Sequence, residues 1–360
     1  YYMIGIIGGS GNVGQWATQA LTRFSSAYIK VGGRNKEQFE KLARSLPDNA
    51  AVEFRQVDFK NIHSVKQFAE DCTIILNCAG PTYNHASELA EAVLNMGIGY
   101  VDVGYGKAMD QIFKRYGDKR ILCKAGAIPG LSGVLPKYLA QQFEEIHQIE
   151  VYYCALGKFT KTAAADYLDG VFDNRMELPS KRREARRKLL PLSINEAYLY
   201  PYYDEECEHV ERITKCNVSK WFMALEGECT HNFMNTAADS YKMDSDKAVE
   251  DLCLATYVDT LGRTEYAGFV IQISGETAGK HMIRTMQVKA PTAEYMTGTV
   301  AAASALLLDN TKELEIGGEL GKIKEVNEFF SILDRIGQRL LISIADKSIE
   351  DLTAVEEGEI

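Results

Sequence analysis

The amino-acid sequence predicts an α/β fold in two parts: an N-terminal doubly wound parallel sheet, and a second α+β domain built on a mainly antiparallel sheet. Three observations predict it. Over residues 1–130 short apolar runs alternate with helix-length amphipathic stretches, the rhythm of parallel strands joined by right-handed crossovers. A glycine-rich turn follows the first apolar run and opens the first helix. After Pro129-Gly130 the rhythm changes to longer strand-like runs.

Taken in order, Met3–Ile7 is a buried strand and Gln15–Phe24 a helix. Tyr28–Val31 and Lys36–Ser45 form the next strand and helix, then Val52–Val57 with Ile62–Glu70, and Thr73–Asn77 with Ala86–Met96. Tyr100–Val103, Met109–Tyr116 and Arg120–Lys124 close the series. The strands are almost continuously apolar, as in a sheet covered on both faces. Residues 131–291 make the second domain, with strands over Gln148–Leu156, Trp221–Cys229, Ala267–Glu276 and Met282–Val288. Gly275-Glu-Thr-Ala-Gly279 separates the last two as a hairpin connection does. Polar, irregular and basic stretches lie between the others. The Ala-rich helix Thr292–Leu308 and a helix over Val326–Ile344 are expected to return and complete the first domain through residues 292–360, the last of them frayed.

Composition narrows the function. The 360 residues are 46% hydrophobic and 25% charged, ordinary for a globular enzyme, and the formal net charge of -10 disfavours nucleic acid and anionic membrane surfaces. The basic run Lys181, Arg182, Arg183, Arg186, Arg187 and Lys188 reads as a solvated helix face. The longest late apolar stretch, Val300–Leu308, is far short of the ~20 residues of a spanning helix. No basic leader precedes the first strand, so a cytoplasmic protein is expected. Several of the eight cysteines sit in apolar runs, and the set reads as reduced core thiols.

The glycine turn carries the chemistry. Gly8, Gly9, Ser10, Gly11, Asn12, Val13 and Gly14 connect strand to helix, and Gly9, Gly11 and Gly14 satisfy G-x-G-x-x-G. One glycine permits the turn, the next lets backbone approach a pyrophosphate, and the third lets helix and sheet pack closely. The helix N-terminus then offers unpaired N–H groups to phosphates. This is the Rossmann arrangement. At the end of the second strand, Gly33, Arg34 and Asn35 stand where NAD-binding chains carry an acid for the ribose hydroxyl. Arg34 instead suits a 2′-phosphate, so NADP(H) is the expected cofactor. Ligands lie beyond the carboxyl ends of such strands. That rule assigns Asp58 to the adenine side, and Cys78, Ala79, Gly80 and Pro81 to the nicotinamide ribose.

The chain here resembles the saccharopine dehydrogenase-like family of NAD(P)-dependent reductases. The likeness is carried by Ile7-Gly-Gly-Ser-Gly-Asn-Val-Gly14, Val31-Gly-Gly-Arg34, Leu76-Asn-Cys-Ala-Gly-Pro81 and Gly99-Tyr-Val-Asp102. Gly126-Ala-Ile-Pro-Gly-Leu131 is similar to the family's link into its second domain. The resemblance implies NADP(H), hydride transfer to or from a C=N bond of a small-molecule substrate, and a homodimer formed through the second domain. Two other functions fit the same Rossmann core, a trans-acting enoyl reductase and a non-catalytic NADP(H) sensor.

A proton donor belongs on the loops beside the nicotinamide. Tyr83 and His85 are the first candidates, by pKa range and position, with Asp102 and Tyr105 next. Lys158, Arg175, Arg263 or Arg284 could meet a substrate carboxylate. Cys207-Glu-His209 and Cys229-Thr-His231 repeat a C-x-H pattern whose spacing is not that of recurring zinc sites, so no metal is expected. No G-x-S-x-G elbow is present.

Overall fold

The computed structural model describes residues 2–81, 83, 85–106, 108–117, 120–172, 186–193, 195–310 and 317–354. The chain divides into two compact units, residues 1–134 with 294–338, and residues 135–293 with 339–360.

The first unit alternates strand and helix: β1 (Met3–Ile7), α1 (Gly14–Phe24), β2 (Tyr28–Gly33), α2 (Lys36–Ala43), β3 (Val52–Gln56), α3 (Ile62–Ala69), β4 (Ile74–Asn77), α4 (Ala86–Leu94), β5 (Gly99–Asp102), α5 (Met109–Tyr116) and β6 (Ile121–Cys123). Local chemistry sets several starts. Asn35 and Asn61 cap α2 and α3 by accepting from the amides of Glu37 and of His63 and Ser64. The chain leaves the unit within α6 (Leu131–Ala140).

The second unit begins with β7 (Glu145–Leu156), α7 (Lys161–Phe172), β8 (Arg186–Lys188), β9 (Ala197–Pro201) and α8 (Glu205–Thr214). It continues through β10 (Val218–Leu225), α9 (Glu228–Met243), α10 (Ser245–Thr260), β11 (Tyr266–Thr277) and β12 (Lys280–Ala290). The chain returns to the first unit with α11 (Ala293–Asn310), β13 (Gly317–Glu319), a 3-10 turn and α12 (Val326–Ile336), then adds β14 (Leu341–Ala345) and α13 (Ile349–Thr353) to the second.

The first sheet has the order β13-β6-β5-β4-β1-β2-β3, all parallel. Order reverses beside β1, the switch point at which such sheets take ligands. Ile4, Ile6, Ile29, Ile74, Leu76 and Val101 are fully buried in its strands. The apolar run Val300–Leu308 lies wholly buried within α11. Among the described residues no helix is long and apolar enough to cross a membrane.

The second sheet runs β14-β12-β11-β7-β10-β9-β8 and is mainly antiparallel, with β7 and β10 parallel. Its β11/β12 hairpin turns at Ala278 and Gly279, both with positive φ (51° and 69°), the geometry that matches strand twist.

Several expectations are corrected. The stretches between the second unit's strands hold the helices α7 to α10. Residues 337–344 are not helical: the Gly337 amide closes α12 on the Leu333 carbonyl at 2.8 Å, and Leu341–Ala345 pairs with β12. Residues 339–354 therefore belong to the second unit, not the first. Arg186–Lys188 is an edge strand rather than a helix, with Arg187 and Lys188 paired to Glu228 and Glu350. Lys181–Arg183 and residues 356–360 lie outside the described residues. All eight cysteines are free thiols, but only Cys72, Cys123, Cys154 and Cys207 are buried.

Candidate functional site

β1 ends at Ile7 and the chain turns at Gly8, which adopts a φ of 74°. The amides of Gly8 and Gly9 donate to the Gly32 carbonyl at 2.8 and 3.2 Å, and that of Gly11 donates to the Gly8 carbonyl at 2.9 Å. A Cβ on Gly14 would lie 2.1 Å from the Gly8 oxygen, and one on Gly8 would lie 2.8 Å from the Ala79 nitrogen. Neither position has room for a side chain, which also brings the first turn against the loop after β4. Thr18 Oγ1 donates to the Gly9 carbonyl at 2.9 Å. α11 approaches as closely, since a Cβ on Gly298 would stand 2.5 Å from the Val13 oxygen.

The turn has the features that suit an anion. Val13 makes no side-chain cap for α1, and the helix's first turn has no acid. Among the described residues nothing accepts from the amides of Ser10, Asn12 and Val13. Unpaired N–H groups at the positive end of a helix dipole suit a diphosphate. Gly33 sits across from Ser10, whose Oγ would be 3.6 Å from a Cβ there. Arg34 follows, exposed and without an ion-pair partner among the described residues, whereas Lys36 pairs with Glu40 at 3.9 Å. A guanidinium so placed is available to an extra phosphate. Asn35 spends its side chain on the α2 cap. Asp58 is exposed after β3, its Oδ1 accepting from the Lys60 amide at 3.0 Å.

The loops after β4 and β5 are joined by a buried polar network. Asp102 ends β5 at 1% exposure. Its Oδ2 accepts from Tyr100 Oη at 2.5 Å and from Asn77 Nδ2 at 3.1 Å, and its Oδ1 accepts from the Gly104 amide at 2.8 Å. Asn77 Oδ1 in turn accepts from the Ala79 amide at 3.1 Å, which fixes the loop Cys78, Ala79, Gly80, Pro81. Burial raises the Asp102 pKa above the ordinary carboxylate value, against the lowering effect of these donors.

Of the other proton-donor candidates, His85 is half-buried at the N-cap of α4 with its ring edge-on to Phe59 at 6.1 Å. Tyr83 is half-buried and its carbonyl closes on Gly106, so the loops bearing Tyr83 and Tyr105 meet. Tyr105 donates to Asp110, and Lys124 Nζ stands 4.5 Å from the centre of its ring. The structure thus gathers Gly8–Gly14, Gly33, Ser10 and the Cys78–Pro81 loop, and sets Asp102 beneath that loop.

Sequence reasoning did not nominate Asn77, Tyr100, Lys124 or Glu319. Asn77 lies inside a quoted motif, and its place at a strand end was the available signal. Lys124 pairs with the buried Glu319 at 3.1 Å, a partner nearly 200 positions away (roughly, by numbering) that no local pattern reveals.

In the second unit, Lys158, Arg263 and Arg284 pair with Glu265, Glu226 and Asp346. Arg175 lies outside the described residues. Cys229 and His231 fall on α9, not on a strand, because β10 stops at Leu225 and Gly227 breaks the chain direction with a φ of 135°. The His231 ring stacks on Tyr198 at 3.8 Å and its Nδ1 is 2.7 Å from Tyr200 Oη. Among the described residues no group of three or more His, Cys, Asp or Glu side chains could hold a metal.

A glycine turn with free amides, at the switch point of a parallel sheet, defines a dinucleotide-binding Rossmann unit. Residues 4–124 match the family described as the saccharopine dehydrogenase NADP binding domain, which bears out both the resemblance and NADP(H) as the cofactor. A probable mitochondrial saccharopine dehydrogenase-like oxidoreductase of Arabidopsis thaliana is 27% identical over 130 residues, a match that covers 33% of this chain and only 29% of that protein. The solved apo saccharopine dehydrogenase (L-Glu forming) from Saccharomyces cerevisiae superposes with a TM-score of 0.66 at 12% identity, over 96% of this chain and 99% of that one. The second likeness is one of fold, and it extends to both units.

Proposed function

We propose that the chain is an NADP(H)-dependent oxidoreductase that transfers hydride to a C=N bond, or to a related carbonyl-derived group, of a small-molecule substrate. The observation that carries this reading is the glycine turn with its unpaired Ser10, Asn12 and Val13 amides and the free guanidinium of Arg34 beside it. The names of its relatives, a saccharopine dehydrogenase-like oxidoreductase and a saccharopine dehydrogenase, support the reaction class. When bound, NADPH supplies the hydride.

The chain's own residues then have separable tasks. The amides of the turn hold the diphosphate, and Arg34 holds the 2′-phosphate. Asp102 is a positioning residue. Its carboxylate fixes Asn77, and Asn77 fixes the Ala79 amide, so the loop ahead of Tyr83 and His85 is held from below. Tyr83 and His85 are the proton donors of choice, because Tyr105 has its hydroxyl committed to Asp110.

The test is loss of reduced-nicotinamide absorbance with amines, oxo acids, aldehydes and enones, offered singly and in pairs. Consumption is expected only where an amine and a carbonyl compound are present together. Consumption with an enone alone would replace this reading by C=C reduction. Tight NADPH binding with no consumption under any condition would reduce the chain to a nucleotide-binding protein.

A further inference from the structure

The two edges of the second sheet differ in chemistry. At one edge β8 carries Arg186, Arg187 and Lys188. At the other, β14 reads Leu341-Ile-Ser-Ile-Ala345, with no charge, proline or glycine. The first sheet's edges are guarded as β8 is, β3 by Glu53 and Arg55 and β13 by being only three residues long. Among the described residues β14 is the sheet edge left without any such device.

An open edge presents a row of unpaired N–H and C=O groups, and charges, prolines, bulges and shortness are what keep other strands off it. Among the described residues β14 pairs with β12 alone, in one register from Leu341 opposite Lys289 to Ala345 opposite Thr285. Its outer row of backbone groups is therefore open. Leu341 is 69% exposed and Ile344 39%, with Ser343 exposed between them. Apolar, β-branched side chains and unused backbone groups along one line suit a single kind of occupant, another strand.

The strand fits its own copy. A two-fold axis normal to the sheet at Ser343 pairs all five of its residues antiparallel. Leu341 then faces the partner's Ala345, Ile342 faces the partner's Ile344, and Ser343 faces the partner's Ser343. Large meets small on one face, branched meets branched on the other, and no like charges meet. The strand stops short of charge, since the next residue, Asp346, is engaged by Arg284 of β12.

We propose that β14 is the docking edge for a second copy of this chain, joined strand to strand so that the two second-unit sheets run on as one. The edge stands on the second unit's own residues, and the pairing holds whether or not the chain transfers hydride. One short strand covers less than the ~800 Å² per partner of a standard interface, so the dimer is reversible, with a dissociation constant on the order of 10 µM.

The experiment is sedimentation velocity on the full chain. Wild type is expected to pass from monomer to dimer between about 1 and 100 µM. Ser343→Lys and Ser343→Glu each set like charges face to face at the axis and should raise the dissociation constant about fivefold. The position is exposed, so the circular dichroism spectrum should not change. An equimolar mixture of the two variants should dimerise at least as tightly as wild type, because opposite charges face each other only when the chains pair across this axis. That restoration separates β14 from any other contact between copies. A chain that stays monomeric throughout the range would leave the edge to an extended segment of another protein and overturn the proposal. Variants that dimerise as wild type does, or a mixture no tighter than either variant alone, would overturn it equally.

Discussion

Each unit buries a carboxylate where a strand ends, and the two are satisfied by different chemistry. Asp102, at the end of β5, meets only neutral donors, the Tyr100 hydroxyl, the Asn77 amide and the Gly104 N–H. Glu226, one residue past β10, meets the Arg263 guanidinium as well as the Tyr266 hydroxyl. Neutral donors leave a buried charge only partly compensated, and the Asp102 pKa rises accordingly. A cation compensates the charge but then depends on it. The first arrangement ties the loops after β4 and β5 together beside a turn whose Ser10, Asn12 and Val13 amides have no acceptor among the described residues. The second orients a cationic side chain. Two buried carboxylates of one chain are thus satisfied by different means, neutral donors for Asp102 and a guanidinium for Glu226.

The sharpest way to break this comparison is at the backbone site. Gly14→Val places carbon against the Gly8 carbonyl, which cannot yield as a flexible side chain would. NADPH affinity should fall by roughly a thousandfold, read by fluorescence titration, because the amides can no longer be presented together. Affinity within a few-fold of wild type would show that the turn is structural only.

Next in size is the ion pair. Glu226→Gln keeps shape but leaves Arg263 without its counter-charge, and should cost about 3 kcal/mol in urea unfolding. A cost as small as that of a surface substitution would mean that the pair contributes orientation and no stability.

A smaller effect belongs to Arg34. Arg34→Ala should weaken NADPH about tenfold and leave NADH almost unchanged, since only the former carries the 2′-phosphate. Equal losses for both nucleotides would remove Arg34 as the selective residue.

The smallest effect tests the neutral network. Asp102→Asn should cost about 1 kcal/mol near pH 4. That deficit should narrow as pH rises. The folded pKa is raised, so wild type binds more protons folded than unfolded, and it loses stability as pH climbs from 3.8 through the folded value. The variant has no such proton to lose. A deficit that stays constant or widens with pH would contradict the raised pKa.

The first unit was far more legible than the second. Its strands are short, apolar and separated by periodic helices, so each is recognisable from its own residues, and parallel pairing follows from the crossovers. In the second unit β7 pairs with both β10 and β11, far along the chain, and the helices between them have mixed faces. α10, for example, leaves Leu254, Tyr257 and Val258 exposed, which blurs its helical pattern. Val326–Ile344 failed for a related reason. Apolar residues at helical spacing run on past Gly337, and only pairing with β12 turns Leu341–Ala345 into a strand. For the site, the glycine turn and Arg34 were readable because backbone chemistry at a strand end demands those residue types at that spacing.

By itself the sequence determined the Rossmann alternation, the glycine turn and the cofactor class, because each depends on residues within one turn or one crossover. Tertiary structure alone decided that Asp102 is enclosed by Tyr100 and Asn77, that Glu226 holds Arg263, and that Leu341–Ala345 joins the second sheet. Those outcomes depend on which distant groups exclude water from one another, and burial of a charge is a property of its neighbours rather than of its place in the chain.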